Sequence, residues 1–214
     1  MDRIVYASRV PLGLIGCAGR FSSLPLTLGY GRPMELEEAR SIAERLLAPL
    51  GDRWRHARAV GQRAQEVGRI LSDLDRRFLV AAAYLHDVGY APSLRRTGLH
   101  QLDGASYVRS LGQERLAQLI AHHSESRFEV QLRGFGHELD LYEREESSTA
   151  DALTYCDLTT GPLGQPMTLE ERIAEVEQRY GQGDIVSALR QATPYLTAAV
   201  ASTQERLRRC FDDG

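Results

Sequence analysis

From Met34 onward the chain settles into a three- and four-residue rhythm. In ELEEARSIAERLLAPL the apolar positions Leu36, Ala39, Ile42, Ala43, Leu46 and Leu47 share one face, as an amphipathic helix packed on a core requires. Residues 1–33 lack that rhythm and are rich in Gly, Pro and Ser. They read as a flexible N-terminal extension, and the folded domain is expected over 34–214. A second helix is expected from Asp52, which follows Gly51 and suits an N-cap, with His56, Val60, Arg63, Val67 and Ile70 recurring up to Ser72. A third runs from about Asp75 through FLVAAAYLHDV and closes at Gly89 and Pro92. Its almost unbroken apolar text marks it as the central helix, buried on most sides. Further helical patterns cover roughly 101–111, 113–123, 147–159, 168–180 and 184–211, the last interrupted at Pro194. No stretch alternates as a strand would and no repeat is visible. The expected fold is all-α, a compact helical bundle with a C-terminal helical extension. The last helix carries Leu189, Leu196, Ala199 and Val200 on one side, so it is expected to dock on its own core or on a second copy of the chain as a homo-oligomer.

At 214 residues and 43% hydrophobic content the chain suits one ordinary domain with a real core. A formal charge of -3 provides no global basic field, so a nucleic-acid polymer is not an expected partner. All 26 basic residues are arginine. Schiff-base and P-loop lysine chemistry are therefore excluded, whereas arginine suits forked grips on phosphate. Cys17, Cys156 and Cys210 have no CxxC spacing and read as reduced thiols of a cytoplasmic protein. No run approaches the ~18 apolar residues of a membrane span. Leu14-Ile15-Gly16-Cys17 resembles a lipoprotein signal box, but Asp2, Pro11 and Gly13 break the pattern and no membrane anchor is expected.

Chemistry concentrates in a few places: His56, the adjacent His86-Asp87, His100, His122-His123, and Asp157 in TYCDLTTGP. Five of the six histidines belong to this set. One histidine on an apolar face is usually a satisfied core residue, but five plus two aspartates would each need a separate buried partner. A divalent cation satisfies them together, because neutral imidazoles and carboxylates are its natural ligands. With no cysteine in the set, Mn, Fe, Co, Mg or Zn in an open site is expected rather than a closed structural zinc.

The order His56, His86-Asp87, Asp157 resembles the HD superfamily of metal-dependent phosphohydrolases, and the likeness covers about residues 36–180. HDVGYAP, the HxxxGA stretch from His100, LIAHHSES and the YCDLTTGPLGQPMTLEERIAEVEQRYG tail extend it toward small single-domain bacterial members. The resemblance implies an HD-type bundle with a first metal held by His56, His86, Asp87 and Asp157. A second would be bridged by Asp87 and held by His100 with His122 or His123 or both. One metal and two metals stay equally open. His86 and Asp87 would be the catalytic pair, and the reaction would be cleavage of a phosphate ester or anhydride of a small substrate, a nucleotide foremost, by metal-activated water. Arg95 and Arg96, in the loop before His100, are candidate phosphate-binding residues.

Departures narrow the resemblance. SESRFEVQLRG stands where cyclic-di-GMP phosphodiesterases of the HD-GYP type carry their signature, and the chain is too short for the insertions of dNTP triphosphohydrolases. Asp52 precedes His56 by four residues, as an acidic ligand of trinuclear members does, although an N-cap is the expected use. Diadenosine-tetraphosphate-hydrolysing members share the block order. Two other functions fit the same ligands: a metal- and nucleotide-binding regulatory protein with little turnover, and a di-iron oxygenase. Arg172 and Arg179 are expected to pair with neighbouring glutamates on their helix, and Trp54 to pack near the start of the His56 helix.

Overall fold

The computed structural model describes residues 34–212; the extension and the Cys17 motif lie outside them. Helix α1 (Leu36–Leu47) buries Ala39, Ile42, Ala43 and Leu47, the face read from the sequence. Helix α2 (Asp52–Val67) buries His56, Ala57, Val60, Gly61, Ala64 and Val67. Helix α3 (Asp73–Leu85) is the centre, with every residue from Phe78 to Leu85 buried. It begins at Asp73 and not Asp75, because the Ser72 hydroxyl accepts from the Asp75 amide at 3.2 Å and caps the first turn. Around it stand α4 (His100–Ser110), α5 (Glu114–His122), the short α6 (Arg127–Leu132) and α7 (Gly136–Leu139), and α8 (Ser148–Leu158). Helices α9 (Leu169–Tyr180) and α10 (Asp184–Asp212) complete the order. The described residues form an all-α bundle with a single isolated bridge, between Thr160 and Pro166.

Two expectations need correcting. Asp52 is not an N-cap: Gly51 holds that position with φ +58°, and the exposed Asp52 carboxylate accepts from Arg55 at 3.1 Å in the first turn. Pro194 does not interrupt the last helix. The exposed proline leaves one carbonyl without its amide, while Ala192, Leu196 and Val200 on either side stay buried, and packing holds the helix through it. α6 and α7 were not legible, being too short for a period. Helix α10 takes the first of the two dockings expected for it, on its own chain, with Ala192, Leu196 and Val200 in a second small core with Leu158 and Leu169. Trp54 packs against the main core, as expected. Among the described residues no helix is long and apolar enough to cross a membrane.

Arg115 ties three segments together. It donates to Asp75 at 2.7 Å and to both oxygens of Glu145 at 2.7 Å, and its guanidinium lies 4.5 Å from the centre of the Phe78 ring. Burial would raise both carboxyls, but hydrogen bonds from Ser72 and Arg115 lower Asp75, and those from Arg115 and Ser147 lower Glu145. A depressed folded-state value contributes stability at neutral pH that disappears as pH falls below about 4. Arg115→Met is therefore expected to cost about 2–3 kcal/mol at pH 7, measured by urea unfolding, with the deficit shrinking in acid. An equal deficit at pH 7 and pH 3 would show that lost packing dominates.

Candidate metal centre

Five helices bring their ends to one place. His86 follows the last residue of α3, His123 follows the last residue of α5, and Asp157 sits in the last turn of α8. His56 and His100 enter from the first turns of α2 and α4. A helix C-terminus is the negative pole of its dipole, so three of these ends favour positive charge where they meet.

The imidazoles are oriented by backbone carbonyls. Nδ1–H donates from His56 to Gly161 at 3.1 Å, from His86 to Ala83 at 2.8 Å and from His123 to Ile120 at 2.6 Å. A carbonyl can only accept, so this tautomer, assigned from the bonding, leaves each neutral ring an Nε2 lone pair. The Nε2 atoms of His56 and His86 are only 3.3 Å apart, and that of His56 is 3.0 Å from Asp157 Oδ1. Acceptors crowded this way repel unless a proton or a cation lies among them. His56, His86 and Asp157 form one group of potential ligands, and Asp87, His100 and His123 a second; within each, the ligand atoms lie within 4.8 Å of one another. The groups touch through Asp87 Oδ1, 3.6 Å from His86 Nε2 and 3.5 Å from His100 Nε2.

Electrostatics follow the geometry. Burial opposes the charge of Asp87, yet the electrostatic pull of the neighbouring His86, Arg53, His100 and His56 side chains holds its carboxyl far below the usual range. Asp157 behaves alike, with burial outweighed by the His56 hydrogen bond and the neighbouring imidazoles. Burial drives His86 and His100 toward the neutral form against the pull of Asp87. At His56 burial loses to Asp157, whose hydrogen bond and charge raise the imidazole. Ionised acids beside His86 and His100, both held toward the neutral form, belong to a donor set that fits a divalent metal.

Beside the cluster lies a cavity of about 160 Å³ lined by His56, Asp87, His100, His123 and Asp157 together with Arg53, Arg172 and Arg179. Several of its groups were not read from the sequence. Arg53 donates to Asp87 Oδ2 at 3.3 Å and its guanidinium lies 3.9 Å from the centre of the Tyr90 ring, which stacks on His100 at 4.1 Å. Its spacing three before His56 puts it on the same helical face, a signal that was available. Ser124 donates to Asp157 Oδ2 at 2.5 Å from a left-handed backbone, φ +49°, and Glu125 follows at +56°. That strain, about 1 kcal/mol or more per residue, leaves no sequence signature.

Three expected site residues lie elsewhere. His122 donates Nε2–H to the Tyr142 carbonyl at 2.8 Å and lines a larger cavity of about 530 Å³, so of the HH pair only His123 joins the cluster. Arg95 and Arg96 are exposed and line no part of the cavity beside the cluster. Buried Asp103 gathers the amides of Arg96, Thr97 and Gly98 at 2.9–3.1 Å, which fixes that loop apart from the histidines. Arg172 and Arg179 both pair with Glu175, as the helical spacing suggested, while also lining the cavity.

Comparison with known families gives the decisive match: the HD domain, over residues 53–176. The chain belongs to the HD-domain family. The matched span runs from Arg53, a turn before His56, to Val176 on α9 and takes in both ligand groups. HD domains are metal-dependent phosphohydrolases as a family and bind divalent metals. No curated protein and no solved structure matches the chain.

Proposed function

We propose that this HD-domain protein is a hydrolase that cleaves a phosphate ester or anhydride of a small substrate, with one or two divalent cations held by His56, His86, Asp157, Asp87, His100 and His123. The observation that carries the reading is the convergence of imidazole lone pairs and carboxylates on the wall of an arginine-lined cavity. A divalent cation supplies Lewis-acid charge opposite the phosphoryl oxygens and makes water more acidic. The protein's own groups do the rest. Gly161, Ala83 and Ile120 carbonyls fix the tautomers of three imidazoles by accepting the proton on the nitrogen that faces away from the cluster. Asp87, strongly ionised between His86, His100 and Arg53, suits a ligand and an acceptor that orients a water O–H more than a store for its proton. Arg53 holds Asp87 in place and presents a guanidinium to the cavity.

Hydrolysis of a panel of phosphate monoesters, diesters and anhydrides, read as product formed (alcohol or phosphate), with Mn(II), Fe(II), Co(II), Mg(II) or Zn(II) added to stripped protein, tests the reading. Hydrolysis that depends on the metal is expected. No hydrolysis of any ester or anhydride with any of these ions would overturn it.

A further inference from the structure

Each aspartate of the cluster gives one carboxylate oxygen to the imidazoles and the other to a hydrogen-bond donor of the protein. Asp87 turns Oδ1 to His86 and His100, at 3.6 and 3.5 Å, while its Oδ2 accepts from Arg53 at 3.3 Å. Asp157 turns Oδ1 to His56 and His86, at 3.0 and 3.8 Å, while its Oδ2 accepts from the Ser124 hydroxyl at 2.5 Å. The two donors differ in charge. Arg53 brings a cation that repels any metal ion near Asp87, whereas the neutral Ser124 hydroxyl leaves the charge of Asp157 undiminished.

That hydroxyl reaches Asp157 from a strained backbone. Ser124 and Glu125, at φ +49° and +56°, are two consecutive left-handed residues that are not glycine. Such a conformation persists only where surrounding contacts over-determine it. Those contacts flank Ser124 on both sides. Glu125 accepts from Arg127 and from Arg144, both at 2.7 Å, and Ser126 donates to the Ala121 carbonyl at 2.5 Å. On the other side the His123 ring is held by the Ile120 carbonyl.

We propose that Ser124 is a positioning residue of the cation site: by holding Oδ2, its hydroxyl makes Asp157 a ligand through Oδ1 alone and keeps that oxygen beside His56 and His86. This rests on the metal-dependent reading above. Hydrogen-bond partners that orient a ligating carboxylate contribute about 10–100-fold to metal affinity.

Two substitutions separate the hydroxyl from the turn. Ser124→Ala removes the hydroxyl and keeps the strain, whereas Ser124→Gly removes the hydroxyl and relieves the strain, since glycine adopts the left-handed conformation freely. Stripped parent and variants are titrated with Co(II) in competition with a chelator, the bound ion being read from its visible absorption and folding verified by circular dichroism. Both variants are expected to bind Co(II) about tenfold or more weakly than the parent. Binding as tight as the parent's in Ser124→Gly would show that only the turn matters; that result, or unchanged binding in both variants, would overturn this inference and leave the cation site standing. A parent that binds no Co(II) would remove both.

Discussion

Asp87→Asn is expected to leave the fold intact and to lower metal-dependent phosphate release by about a thousandfold or more. The amide is isosteric, so the packing around it persists. What changes is charge: the carboxylate that meets His86 at 3.6 Å, His100 at 3.5 Å and Arg53 at 3.3 Å becomes neutral, and a half-buried guanidinium loses its counter-ion beside two imidazoles. His122→Ala is the matched control. Its ring bonds the Tyr142 carbonyl and belongs to neither ligand group, so kcat/KM is expected to stay within about threefold of the parent. Initial rates under saturating Mn(II), with circular dichroism to verify folding, check both. A large loss in His122→Ala and none in Asp87→Asn would move the chemistry to the other cavity.

Gly89→Ala is expected to cost about 3 kcal/mol or more, a fall of roughly 6–12 °C in Tm for a chain of this size. A Cβ there would meet the His100 carbonyl oxygen at 2.0 Å and the Gly104 amide nitrogen at 2.6 Å. Both are backbone atoms at the start of α4, so relief requires moving the helix and His100 with it. The glycine that follows His86-Asp87 and the one in HxxxGA thus serve one close approach. Gly136, where an added Cβ meets nothing within 4 Å, supplies the comparison, and Gly136→Ala is expected to stay within about 0.5 kcal/mol of the parent. Thermal melts of the two variants decide this, and equal melting points would contradict the packing described.

The bundle was largely legible because burial imposes a period: Phe78 to Leu85 reads as a helix with no polar face, and α1 shows a single apolar stripe. The same logic brought His56, His86, Asp87, His100, His123 and Asp157 together, since each lies at a helix end beside buried text. Local backbone choices carried no such signal. His122 and His123 are neighbours, yet α5 ends between them and only one ring turns inward. The loop of Arg95 and Arg96 is set by the buried Asp103 carboxylate, a tertiary contact that composition cannot show. Ser124 reaches Asp157 through a left-handed turn that its residue type does not announce. Arg53 is the exception: three residues before His56, it shares that helical face by spacing alone.

Metal content, by elemental analysis of protein stripped and reloaded with Mn(II), Fe(II) or Zn(II), is the most direct test of whether these side chains form a cation site. The parent protein is expected to retain roughly one to two ions per chain, and the His86→Ala/Asp87→Ala double variant far fewer. A parent that binds none of these ions, or a double variant that binds as many, would contradict it.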